Sequence, residues 1–85
     1  MAATITFSLR NNQMHDVNVN VVDLRNNTQV LSNYPLNQDE SVTIQIVSGS
    51  DGKGGAAWTF WSSDGSVNSN KQEPNISDGD ECTLG

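Results

Sequence analysis

The chain has 85 residues, a formal net charge of −6 and one cysteine. Below roughly 100 residues there is too little apolar material for two cores, so this is one domain over 1–85, and a lone cysteine cannot close an internal disulfide to reinforce it. The four fixed cations, Arg10, Arg25, Lys53 and Lys71, are dispersed, which excludes the basic stripe that displaces counterions from nucleic acid and the cationic patch that holds an anionic bilayer.

Residues 4–9, Thr4-Ile5-Thr6-Phe7-Ser8-Leu9, alternate polar and apolar, the period of a strand that points Ile5, Phe7 and Leu9 into a core. A polar break over 10–15 follows. Val17, Val19 and Val21 repeat the alternation, then Val22 and Leu24 fall on the opposite parity, which predicts a bulge or a strand end covered on both faces. After a turn at Arg25-Asn26-Asn27-Thr28, residues 29–32 form a short strand closed by Tyr34-Pro35. Polar punctuation over 36–41 leads to the clearest strand, 42–47, with Val42, Ile44 and Ile46 inward. Its β-branched run suits a pleated sheet and not a helix.

Residues 48–55 contain Gly49, Gly52, Gly54 and Gly55 and are predicted as a flexible or positive-φ loop. The strand at 56–61 places Trp58 and Phe60 on one face and Trp61 on the other, and Asp64-Gly65 marks a hairpin turn. A weak return strand at 67–69, a polar stretch with an Asp78-Gly79 turn, and a short strand at 81–84 complete the chain. Six or seven short strands at this spacing define an all-β fold, a small antiparallel β-sandwich, with a small β-barrel as the alternative. The expected core is Ile5, Phe7, Leu9, Val17, Val19, Val21, Val42, Ile44, Ile46, Trp58, Phe60 and Ile76.

Asn, Gln, Ser and Thr are abundant. They suit turns, where short side chains bond the local backbone, and they also suit recognition of neutral polar ligands. Structural zinc needs about four Cys or His ligands, and His15 and Cys82 are the whole supply. That pair lacks a third group to orient it as a nucleophile and base, so no catalytic residues are expected. Calcium accepts loop oxygens, and its candidates are Asp78, Asp80 and Glu81, in a run too short for an EF-hand loop. The Gly-rich stretch lacks the Lys-Ser/Thr ending and following helix of a P-loop. Gly52-Lys53-Gly54-Gly55 followed by Trp58 resembles one loop of the chagasin-type cysteine-protease inhibitors, but the other loops of that family are missing and nothing is carried over from it.

Trp58 and Trp61 are three apart and project from opposite faces of a strand, so Trp58 joins Phe60 in the core and Trp61 is exposed, covered by another chain or placed at the sandwich rim. An outward indole beside neutral donors and acceptors is how a sugar site is built, with C–H faces on the ring and hydroxyls on the polar groups. The expected function is therefore a non-enzymatic, lectin-like module for a neutral polar ligand or glycan. Its ligand-binding candidates are Trp61, Tyr34, Asp51, Lys53, Ser63 and Asp64. The alternative is a protein-interaction or inhibitor domain, including a homo-oligomer, acting through exposed loops. No cofactor other than calcium is expected. The start shows no secretory signal and no run is apolar enough to span a membrane, so synthesis in the cytoplasm is expected unless a signal has been removed.

Overall fold

The computed structural model describes residues 3–85. Its strands in chain order are β1 (Thr4–Arg10), β2 (Val17–Asp23), β3 (Thr28–Leu36), β4 (Ser41–Val47), β5 (Lys53–Trp61), β6 (Asn68–Ser77) and β7 (Glu81–Thr83). They form a three-stranded sheet, β4-β1-β7, and a four-stranded sheet, β3-β2-β5-β6. No strand belongs to both, so the molecule is a β-sandwich and not a closed barrel. Among the described residues no helix is long and apolar enough to cross a membrane.

Alternation in the sequence becomes the core. Ile5, Phe7, Leu9, Ile44 and Ile46 come from the smaller sheet, while Val17, Val19, Val21, Trp58, Phe60 and Ile76 come from the larger, all buried. Phe7 and Trp58 meet across the sandwich with ring centroids 6.4 Å apart, within the range of favourable aromatic pairs. The buried Trp58 Nε1 donates to the Leu84 carbonyl at 2.9 Å, which satisfies the indole and fastens the residues after β7. Leu36, Ala56 and Leu84 join the core, and Val42 packs against it only partly buried.

The architecture departs from the sequence reading in four places. β7 pairs parallel to β1, so the sandwich is not wholly antiparallel. The chain leaves β6 in one sheet and is led onto the open edge of β1 in the other by the turn after Ser77, where Gly79 N donates to Thr6 O at 2.8 Å and Ser8 N to Asp80 O at 3.0 Å. Second, β3 and β6 run longer than their apolar content predicts and include Pro35 and Pro74. Both are edge strands, where a missing N–H is tolerated.

Third, the Gly-rich stretch is not wholly loop. β5 begins at Lys53, and Gly54 and Gly55 are buried within it. A Cβ on Gly54 would stand 2.7 Å from Ile46 Cδ1 and 2.8 Å from the Val47 carbonyl oxygen, so glycine lets the start of β5 press against β4. Fourth, β2 keeps its parity to its end on the β5 side, where pairing runs unbroken from Asn18↔Trp61 to Asp23↔Ala56. The irregularity expected near Val22 is present, but in the pairing with β3, whose register shifts between Val19 and Val21 and again between Val21 and Val22. Asp23 occupies the next core-facing position and is buried, while Leu24 is exposed.

Candidate functional site

Cross-strand partners share a face of a sheet, so the register defines the outer surface of the larger sheet. One row across the strands reads Pro35, Asn18, Trp61, Asn68 from β3 to β6. The next reads Asn20, Thr59, Asn70, and the third reads Gln29, Val22, Ala57, Gln72. The Val-Asn-Val-Asn-Val sequence of β2 creates this arrangement: each valine that enters the core puts an asparagine outside. Although the net charge is −6, none of these positions carries an ionisable side chain. Trp61 is half-buried at the end of β5, with Asn18 and Asn68 on either side.

Part of this surface is held in place. Asn18 Nδ2 donates to Asn33 Oδ1 at 2.7 Å, and the Asn33 backbone N–H donates to Asn20 Oδ1 at 2.7 Å. Asn33 reaches both because its φ of 53° places it in the left-handed region, which asparagine tolerates better than most residues. The link fixes two amides on the face while leaving the Asn20 NH2 and the Asn18 carbonyl oxygen to other partners.

The remaining sequence-derived candidates divide between two ends of the molecule. Ser63 and Asp64 lie in the turn that follows Trp61. Tyr34 is at the same end, but it pairs with core-facing Val19, so it sits on the opposite side of the sheet from Trp61, at the β3 rim. Asp51 and Lys53 lie at the other end of β5, about 26 Å away at roughly 3.3 Å per strand residue. Asp51 accepts the Lys53 N–H at 3.1 Å and stands 3.8 Å from the Arg25 guanidinium. Lys53 Nζ donates to Ser77 Oγ at 3.0 Å. The six residues therefore do not form one site.

Asp64 organises its turn. Its Oδ1 accepts the Ser62 hydroxyl at 2.6 Å, the Ser66 N–H at 3.0 Å and the Ser66 hydroxyl at 2.7 Å. These bonds, Ser62 foremost, hold the carboxyl well below the usual range, with the nearby His15 a minor contributor. His15 Nε2 lies 3.4 Å from Ser66 Oγ, so Ser, His and Asp meet here. The order is not that of a hydrolase, in which the carboxylate orients the imidazole: Asp64 holds the serine hydroxyls, and the Ser66 proton is directed to the carboxylate.

Cys82 faces the rim of the core opposite Leu9. Burial raises its thiol pKa, the charges of Glu73 and Asp80 raise it further, and Lys71 opposes them. The His15 ring engages the β5–β6 turn and not this thiol.

The calcium candidates serve the β6–β7 turn. Asp78 Oδ1 accepts the Thr6 N–H at 2.9 Å and faces the Thr6 hydroxyl at 3.3 Å, and Asp80 Oδ2 accepts the Ser77 N–H at 2.9 Å. Glu81 pairs with Ser8 in the parallel ladder. Among the described residues, no group of three or more His, Cys, Asp or Glu side chains converges as a metal site would require.

What the sequence reasoning missed is the amide array around Trp61. The outward parity of Trp61 was legible, but the partners supplied by β6 become visible only through its register. Comparison with protein families, curated proteins and solved structures found no match.

Proposed function

We propose that the protein is a non-enzymatic binding module for a neutral carbohydrate, and that the outer face of β3-β2-β5-β6 is its binding surface. The observation that carries this reading is the placement of the half-buried Trp61 between Asn18 and Asn68, with Thr59, Asn20 and Asn70 in the neighbouring row. Pyranose rings present apolar C–H faces to an indole and a rim of hydroxyls to amides, and a surface with no ionisable group matches an uncharged ligand. A non-enzymatic role agrees with the chemistry elsewhere: Asp64 does not orient His15, and the Cys82 thiol is held protonated by burial and nearby carboxylates.

Titration with a broad panel of neutral and charged glycans, followed by Trp fluorescence, tests the reading. Neutral glycans are expected to shift the emission, and Trp61→Ala is expected to abolish binding while leaving the fold intact, because Trp58 alone serves the core. A panel without any response would remove carbohydrate and leave the protein-interaction alternative.

A further inference from the structure

Resting on the carbohydrate reading, we infer that the ligand is a linear, uncharged, β-linked polysaccharide lying across the strands of the larger sheet, one ring after another, and not a single sugar held in a pocket.

Three observations support it. First, the surface beside Trp61 is an open sheet face. Among the described residues the molecule has two sheets and no further layer of strands over this face, and two hollows, one bordered by Thr6, Ser8 and Glu81 and one by Arg10, Ser41 and Thr83, lie on the other sheet. A single sugar bound tightly is surrounded by walls on most of its surface. An open face gains affinity by adding weak contacts along an extended ligand.

Second, the polar neighbours of Trp61 lie across the strands, whereas along the two central strands β2 and β5 the outward polar groups give way to Val22 and Ala57, edge strand β6 alone staying polar from Asn68 to Gln72. Crossing the sheet from Trp61, the neighbours are Asn18 and Asn68, and the parallel row is Asn20, Thr59 and Asn70. Following β5 from Trp61, the outward residues become Thr59 and then Ala57. Strands lie about 4.8 Å apart, close to the advance per ring of an extended β-linked pyranose chain, so successive rings meet equivalent positions on successive strands. The four strands span three such intervals, roughly 14 Å.

Third, the Asn18–Asn33–Asn20 link, 2.7 Å in each bond, orders amides on the β2 side before any ligand arrives. Preorganisation of this kind lowers the ordering cost that otherwise weakens binding to a flat surface.

The test is calorimetric titration with β-1,4-linked gluco-, xylo-, manno- and chito-oligosaccharides, from the monosaccharide to the hexasaccharide, at low salt and at about 0.5 M salt. One series is expected to gain at least ~10-fold in affinity between monosaccharide and tetrasaccharide and then level off, without salt dependence. The double variant Asn68→Ala, Asn70→Ala, exposed on edge strand β6, is expected to weaken the tetrasaccharide by about 5-fold at unchanged melting temperature. Equal affinity for monosaccharide and tetrasaccharide, or loss of binding through loop variants at Asp51 or Ser63 with the double variant unaffected, would overturn the inference and leave the carbohydrate reading standing. Binding on the broad panel with no β-1,4 series bound would do the same. Absence of binding to every glycan, with a dimer in light scattering that Trp61→Ala dissociates, would overturn both and identify the face as a self-interface.

Discussion

Asp23 joins the two sheets through Val47: its Oδ2 accepts the Val47 backbone N–H at 2.8 Å, while Oδ1 accepts that of Arg25 at 2.9 Å. The carboxylate belongs to β2 in one sheet and its acceptor role reaches β4 in the other, at a core-facing position where a valine would continue the pattern. Asp23→Ala leaves two N–H groups without this partner and opens a void beside Ala56. A loss of about 3 kcal/mol in urea unfolding is expected, and Asp23→Asn, which keeps a single accepting oxygen, should lose roughly half as much. A change under about 0.5 kcal/mol for the alanine variant would mean that water replaces the carboxylate.

Gly54 and Gly52 lie on either side of the point where the Gly-rich stretch passes from turn to strand. Ala at 54 would meet Ile46 Cδ1 at 2.7 Å and the Val47 carbonyl at 2.8 Å, and the second is backbone that cannot swing aside. Ala at 52 would meet nothing within 4 Å but must hold a φ of +77°. Gly54→Ala is expected to cost about 2–3 kcal/mol through overpacking, and Gly52→Ala about 1 kcal/mol through backbone strain alone. Equal losses in denaturant melts would show that β5 starts later than Lys53.

Asp64 makes a prediction about acid. Its folded pKa is depressed, chiefly by the Ser62 hydroxyl and then by the Ser66 N–H and hydroxyl. The stabilisation from these bonds is therefore complete above the unfolded pKa of about 3.9 and is lost as pH falls from there through the folded value. Carbon-detected NMR should find the Asp64 carboxylate still ionised at about pH 3, and Ser62→Ala should bring its midpoint upward. A midpoint near the ordinary aspartate value in the unmodified protein would contradict the turn geometry.

The Cys82 thiol is expected to react slowly. Burial first, then the charges of Glu73 and Asp80, raise its pKa, and the thiolate is the reactive species. Alkylation by iodoacetamide near pH ~7.5 should be slower than for a free cysteine peptide, and its rate should keep rising with pH where that of the peptide has levelled off. A rate like that of the peptide would place the thiol in water.

The fold was legible where residues alternate. The apolar residues at Ile5, Phe7 and Leu9, and at Ile44 and Ile46, gave both strand and buried face because each pairs burial with period 2. β6 was nearly silent, since at the open rim its core-side positions opposite Trp58 and Ala56 are Lys71 and Glu73. Inward charges on an edge strand hide it from a hydrophobic reading and protect the edge from pairing with other chains. Leu36 and Leu84 were missed because each is an isolated apolar residue in a polar stretch, buried by tertiary contacts that local pattern does not encode. The abundant asparagines and aspartates divide as their chemistry allows. Asn11, Asp23, Asp51 and Asp64 each accept an N–H two residues on, the Asx geometry of turns. Asn18, Asn20, Asn68 and Asn70 form the outer face instead. Sequence composition alone cannot separate these two groups, because the separation lies in strand register.

The most direct measurement is an amide and indole NMR titration of the labelled protein with the tightest-binding neutral oligosaccharide. The Trp61 Nε1–H and the side-chain amides of Asn18, Asn20, Asn68 and Asn70 are expected to shift together, with Trp58 unmoved behind its bond to Leu84. Shifts confined to the turn around Asp51 and Lys53, or to the Ser8 and Thr43 side of the smaller sheet, would contradict the assignment of the binding surface.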